Sequence, residues 1–255
     1  NILKLSELLN NDIMKIEELG YQVDSSIFYE KISHFEWPVF LDSCYQKDKP
    51  KSSYARFDII AANPFIKLST LKGVTEITNS EGKRKTKEPA LDILSEVMKK
   101  YQDTSSEIPF VGGAIGYCSY GLNLEEDKSE LVNSMMIGVY DWVIVTDHLD
   151  ERSYLVSTFS YTETKKIWSE LLSLLKNKQQ KKTEKFIIKS EIRDNLTYSE
   201  YKKQFEVVKS YISSGDCYQI NLSKKFEVDA VGDSWIFYKK FRSINKSPFM
   251  AYLCY

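Results

Sequence analysis

The sequence predicts an α+β protein, with antiparallel β-sheets flanked by helices. Three observations predict it. Helical and β-prone segments are mixed without βαβ regularity, two strong β-runs are joined by the short polar turn 147–152, and no internal repeat is visible. A chain of 255 residues suffices for one large domain or two small ones.

Taken in order, residues 24–35 read as a helix. Asp24 or Ser25 is available as its cap, and Ile27, Phe28, Ile32 and Phe35 share a face. Trp37–Leu41 read as a strand. Residues 57–71 read as a β pair broken at the turn signal Asn63-Pro64, and 73–88 as a hairpin end with a polar loop. Pro89 opens a helix in which Ala90, Leu91, Leu94, Val97, Met98 and Tyr101 fall at helical spacing. A polar linker, Gln102–Glu107, leads into the glycine-rich, apolar Phe110–Tyr120. Met136–Thr146 and Ser153–Phe159 are β-runs, and Tyr161–Asn177 is a helix with Trp168, Leu171, Leu172 and Leu175 on its apolar side.

Lys176–Lys185 holds five lysines and no large apolar residue, which marks a domain boundary. The reading is an N-terminal domain over 1–185 and the start of a second domain over 186–255. In the second, Thr197-Tyr198-Ser199-Glu200 is a capping box. The helix it starts is expected to bury Tyr201, Phe205, Val208 and Ile212, and Gly215 ends it. Tyr218–Val228 alternates as a strand, Asp233–Ile244 is a short helix capped by Asp233, and Pro248–Tyr255 is a final strand.

Composition excludes several functions. The net charge of −1 supplies no broad attraction for nucleic acid or anionic membrane. No apolar stretch approaches the length of a membrane span, and Asn1–Leu9 lacks the features of a secretory signal. Cys44, Cys118, Cys217 and Cys254 are not spaced as metal ligands or a redox pair, so reduced thiols in a cytoplasmic protein are expected. The two histidines, His34 and His148, make neither a histidine zinc site nor a Ser-His-Asp arrangement.

Four segments are candidates for chemistry. Gly112-Gly113-Ala114-Ile115-Gly116 superficially resembles a phosphate loop, but its apolar flanks favour close strand-on-strand packing. Glu125-Glu126-Asp127 reads as a solvated loop before it reads as a cation site. Arg56, between Tyr54 and Phe57, is suited to grip a carboxylate with two parallel hydrogen bonds; a structural ion pair with Asp58 or another acid is the level alternative. Gln219 and Asn221 share one face of their expected strand, where buried amides need a ligand or backbone partners.

At these residues the chain resembles a known family. Gly215–Leu222, as Gly-Asp-Cys-Tyr-Gln-Ile-Asn-Leu, is similar to the segment opening the chorismate-binding domain of anthranilate synthase and aminodeoxychorismate synthase large subunits. Asn245–Leu253 resembles the next block, and Arg56–Ile59, Gly112–Gly116 and Tyr140–His148 resemble the N-terminal region. Order and spacing match from about residue 24 onward. Arg56-Phe57-Asp58 with Tyr140-Asp141-Trp142 is similar to the aminodeoxychorismate synthase component I branch, since anthranilate synthases usually have Arg-Tyr-Ser.

The resemblance implies an enzyme that replaces the 4-hydroxyl of chorismate with an amino group for p-aminobenzoate and folate synthesis. Ammonia would come from a glutamine amidotransferase partner, and Mg²⁺ would help the hydroxyl leave. Anthranilate synthase component I, which also eliminates pyruvate, is the close alternative; a non-catalytic tryptophan-binding or amidotransferase-docking module is the alternative of another class. The resemblance also implies a tryptophan pocket, structural or regulatory, lined by Ser43, Tyr54, Ala55, Arg56, Phe57, Pro248, Phe249 and Met250. Arg56 or Ser43 would meet polar ends, backbone carbonyls near Pro248 the ammonium, and the aromatic and Met walls the indole. Cys44 stands where the compared family members have glycine. The family's catalytic lysine, in a Pro-Ile-Lys-Gly-Thr block, and its Mg²⁺-binding glutamates are expected after Tyr255, so no catalytic or metal-binding residue is expected in this chain. The apolar run Phe249–Tyr255 reads as a strand cut short, and the chain as the inactive front part of a longer enzyme.

Overall fold

The structure, a computed structural model, describes residues 14–47, 54–99, 106–120, 122, 133–177 and 185–255. The Gln102–Glu107 linker and the lysine-rich 176–185 stretch lie mostly, and Glu125-Glu126-Asp127 wholly, outside the described residues. Two compact units are present: Asn1–Gln180 together with Asn245–Tyr255, and Lys181–Ile244.

The first unit carries β1 (Lys15–Leu19), α1 (Ser26–Ile32), β2 (Val39–Asp42), β3 (Phe57–Ala61), β4 (Ile66–Leu71), β5 (Val74–Asn79) and β6 (Gly82–Thr86). It continues through α2 (Ala90–Met98), β7 (Gly113–Cys118), β8 (Met135–Tyr140), β9 (Trp142–Asp147), β10 (Arg152–Ser157) and α3 (Thr162–Lys176). The last strand, β15 (Met250–Leu253), belongs to it as well. Two antiparallel sheets result, one in the order β1-β10-β9-β3-β2-β15 and one in the order β6-β5-β4-β8-β7. The α+β architecture with antiparallel sheets is therefore as the sequence predicts.

The helices form where apolar spacing provides a face to bury. Trp168, Leu171 and Leu175 of α3 are buried at helical spacing, and Ala90, Ile93 and Val97 do the same for α2. Val39, Val143, Val145 and Val156 share one apolar cluster, and Leu68, Ile77, Ile137 and Val139 share another with α2. Each fully buried aliphatic side chain contributes about 1.5–3 kcal/mol.

Two features of the sheets differ from expectation. Residues 57–71 are two strands, but they belong to different sheets. Asn63 (φ +53°) makes the turn, and its N–H and Oδ1 bond to the O and N–H of Glu36 at 2.8 and 2.9 Å, so β4 leaves for the second sheet. The run 136–146 is likewise two strands. Asp141, buried between them, accepts from the hydroxyls of Ser157 (3.2 Å) and Thr158 (3.4 Å) while the chain crosses from one sheet to the other. Both halves are buried on two faces, so their apolar pattern gives no sign of such a crossing.

The second unit holds β11 (Phe186–Ile188), β12 (Arg193–Asp194), α4 (Tyr198–Ser214), β13 (Phe226–Glu227), β14 (Ala230–Gly232) and α5 (Ser234–Ile244). The strands form two two-stranded ladders, β11 with β14 and β12 with β13. The capping box of α4 is complete: Glu200 N–H donates to Thr197 Oγ1 at 3.3 Å, and Thr197 N–H to Glu200 Oε2 at 2.8 Å. Gly215 closes the helix at φ +82°, a left-handed position open to glycine. Asp233 caps α5 through the N–H of Trp235 at 2.8 Å.

Three expectations fail around this unit. Phe205 and Ile212 of α4 are exposed, and the helix has no buried residue, since no layer covers it among the described residues. The strand expected over Tyr218–Val228 is reduced to β13, because residues 217–225 find no ladder partner there and an isolated strand leaves its backbone groups unpaired. Finally, the terminal segment expected with the second domain instead supplies β15 to the first sheet, pairing Met250 with Asp42 and Leu253 with Val39.

Candidate functional site

The densest polar arrangement in the first unit centres on Asp58 of β3, a carboxylate buried to 1% exposure. Ser43, at the end of β2, donates both its N–H and its hydroxyl to Asp58 Oδ1, each at 2.7 Å. The Ser25 hydroxyl donates to Oδ2, and His148 Nε2 lies 2.8 Å from the same oxygen. His148, just after β9, is fully buried; Tyr45 stacks on its ring at 4.4 Å, and Tyr21 meets its Nδ1 at 3.0 Å. Nε2–H donates to the Asp58 carboxylate.

Burial pushes the Asp58 carboxyl up, but the bond and charge of His148, with the Ser25 and Ser43 donors, win and hold it below 3.8. Burial, aided by nearby Tyr45, Glu151, Asp58 and Asp147, pushes the Tyr21 hydroxyl up to about 12. The start of α1 explains how Ser25 comes to be available. Asp24 Oδ1 accepts from Ser26 N–H at 3.2 Å and so caps the helix, while Ser25 turns to Asp58.

Beside this network, Arg56 forms a structural ion pair, with Asp147 and not with Asp58. Its Nε lies 3.0 and 3.1 Å from the two carboxylate oxygens and its Nη2 2.7 Å from Oδ2, with Asp150 at 3.4 Å. The guanidinium lies over the Phe57 ring at 4.5 Å. Burial raises the Asp147 carboxyl, but Arg56 and the N–H groups of Asp150 and Leu149 outweigh it and hold it low. Sequence reasoning allowed Arg56 an ion pair with an acid without naming Asp147, and it missed Asp58–His148; in both pairs the members lie about ninety residues apart. One signal was available: the two acids and the histidine are polar residues at the ends of, or inside, β-runs that are otherwise apolar.

The eight residues of the predicted tryptophan pocket all belong to the first unit. Tyr54 and Phe249 meet edge to face at 6.0 Å and are exposed, while Ser43 is buried on Asp58. Ala55 precedes Arg56, and Pro248 leads into Met250 of β15, whose sulfur lies 3.3 Å from Cys44 Sγ. Cys44 has φ +48°, a left-handed backbone that costs an L-residue and suits the glycine expected at this position.

The remaining candidates resolve structurally. A Cβ on Gly116 would meet the Met136 carbonyl oxygen at 2.0 Å, so the glycine segment serves close strand packing. Gln219 and Asn221 are exposed and bond to each other at 3.3 Å, so neither amide is buried as expected. Among the described residues no group of three His, Cys, Asp or Glu side chains is placed to hold a metal ion.

Residues 43–255 match the chorismate binding enzyme family, and the chain belongs to it. The chain is 32% identical over 248 residues to aminodeoxychorismate synthase component 1 of Escherichia coli, covering 92% of this chain and 52% of that protein. It is 26% identical over 252 residues to anthranilate synthase alpha subunit 2 of Arabidopsis thaliana, covering 85% of this chain and 40% of that protein. The structure of anthranilate synthase component I from Streptococcus pneumoniae superposes with a TM-score of 0.62 at 25% identity, over 81% of this chain and 50% of that one. The chain thus spans about half the length of the curated relatives it matches. Among the described residues no helix is long and apolar enough to cross a membrane.

Proposed function

We propose that the whole protein of which these residues form part is a cytoplasmic aminodeoxychorismate synthase component I, converting chorismate and ammonia to 4-amino-4-deoxychorismate for p-aminobenzoate and folate synthesis. The observation that carries this reading is the 32% identity to the Escherichia coli component 1 across 92% of the chain. The Arg56-Phe57-Asp58 block supports it, because Asp58 is the anchor for Ser25, Ser43 and His148, a role that serine at this position could not fill with a charge. Ammonia comes from a glutamine amidotransferase subunit. Mg²⁺ and the lysine act from residues outside this chain, which contains no Pro-Ile-Lys-Gly-Thr block. In this reading residues 1–185, with the returning segment that carries β15, form the N-terminal domain, and the second unit opens the chorismate domain.

The full-length enzyme with chorismate, ammonium and Mg²⁺ is expected to give 4-amino-4-deoxychorismate and no anthranilate. Fluorescent anthranilate as the product would overturn this reading in favour of anthranilate synthase. The 255 residues alone are expected to show no turnover, and robust turnover would contradict the assignment of the chemistry to the rest of the enzyme.

Tryptophan occupies the Ser43/Arg56/Pro248 region in this reading. Ser43 Oγ donates to Asp58 and retains lone pairs for an ammonium, while Tyr54, Phe249 and Met250 form the wall for the indole. Saturating tryptophan is expected to raise the melting temperature of tryptophan-free protein, and Phe249→Ala to diminish that rise. An unchanged melting temperature in the wild type would count against the pocket.

A further inference from the structure

The β5–β6 hairpin carries a cation, Arg84, that pairs with no acid among the described residues. Lys83 and Lys85 lie on the outer face of β6, where both pair with Glu76, at 3.1 and 3.5 Å. Arg84, between them, points the other way. It stands opposite Ile77, whose side chain is buried in the second apolar cluster, so Arg84 shares the inner face of the sheet. Among the described residues it has neither hydrogen bond nor ion pair.

Arg84 stands over a cleft of about 420 Å³. Ile66, Ile77 and Val97 give the cleft an apolar floor, and Phe65 and Tyr161, stacked at 5.2 Å and 15°, form a flat wall. Asn79 and Glu81 complete the rim, and Glu81 makes no ion pair with Arg84.

An inward-pointing charge on an edge strand discourages pairing with another sheet, and β6 is an edge strand. That explains a charge at position 84, but not a cleft beneath it that joins an apolar floor and an aromatic wall to a polar rim. A guanidinium fork above an apolar floor and beside a flat aromatic wall is complementary to a planar apolar body that ends in a carboxylate. We propose that this cleft binds a small aromatic carboxylate, with the carboxylate on Arg84 and the ring over Ile66, Ile77 and Val97. The proposal stands apart from the chorismate chemistry and from the tryptophan pocket.

The test uses benzoate as the probe, amide chemical shifts as the readout, and benzyl alcohol and inorganic phosphate as controls. Benzoate is expected to shift the amides of Ile77, Arg84 and Tyr161 saturably. Arg84→Gln is expected to weaken that binding by about tenfold or more, the worth of a charge-assisted pair, and Arg84→Lys to recover part of it. Because Arg84 has no partner among the described residues, Arg84→Gln should melt with the wild type; a large fall in its melting temperature would mark the residue as structural and overturn the proposal. So would the absence of saturable shifts, equal binding of benzyl alcohol or phosphate, or an Arg84→Gln variant that binds benzoate undiminished.

Discussion

The two units use the same local signals and reach different degrees of burial. Helix α3 has no side-chain cap, yet Trp168, Leu171 and Leu175 are buried. Helix α4 has a complete capping box and a left-handed glycine at its end, yet none of its residues is buried. In the first unit Ile32, Phe40, Leu68, Ile144 and Leu155 are all at 0% exposure, whereas in the second only Trp235 and Tyr238 are buried hydrophobics among the described residues. Caps and turns decide where an element begins and ends, and a second layer decides whether its apolar face is covered.

The largest test of this contrast lies in the acid pairs. Asp58→Asn removes one partner of a buried, hydrogen-bonded pair and is expected to cost about 3–5 kcal/mol in urea unfolding of the first unit. Asp229→Asn breaks the exposed pair with Arg193, and its unfolding midpoint should not move measurably. Equal effects would erase the distinction between the units.

Core truncation comes next. Ile144→Ala should cost about 2–5 kcal/mol, the usual result of emptying a fully buried site, while Phe205→Ala in α4 should stay within about 0.5 kcal/mol. A large loss for Phe205→Ala would reveal a partner layer in solution. Acid gives a third comparison. Asp58 and Asp147 titrate below 3.8 when folded, so their contribution is complete above the unfolded value and is lost as pH falls through the folded ones. Amide exchange in β3 and β9 should therefore accelerate below about pH 4, and Asp58→Asn should flatten that dependence. The smallest effect expected is from Thr197→Ala, about 1 kcal/mol, seen as faster exchange confined to α4.

Much of the fold was legible from the sequence because its causes are local. Pro89 at the mouth of α2, the Thr197–Glu200 box, Gly215 and the spacing of Trp168, Leu171 and Leu175 all act within a few residues. What escaped was set by partners distant in sequence. Nothing near Asn63 says that β3 and β4 join different sheets, and nothing in the Met136–Thr146 run says that Asp141 divides it. Of the polar centre, the sequence named Ser43 and Arg56 as site residues but not Asp58, His148, Ser25, Tyr21 or Tyr45. Arg56 offered two level readings until Asp147 came within 2.7 Å, and His148 looked solitary until Asp58 and Tyr45 enclosed it.

The return of β15 to β2 has a consequence for synthesis. Its partners lie roughly two hundred residues apart in the chain, so the first sheet is an assembly of high contact order. On the ribosome β2 emerges early and waits, with one edge open, while the whole second unit is translated before the strand that covers it. A nascent chain halted between residues 60 and 245 therefore exposes the edge of β2, available to chaperones or to another chain, until β15 pairs with it.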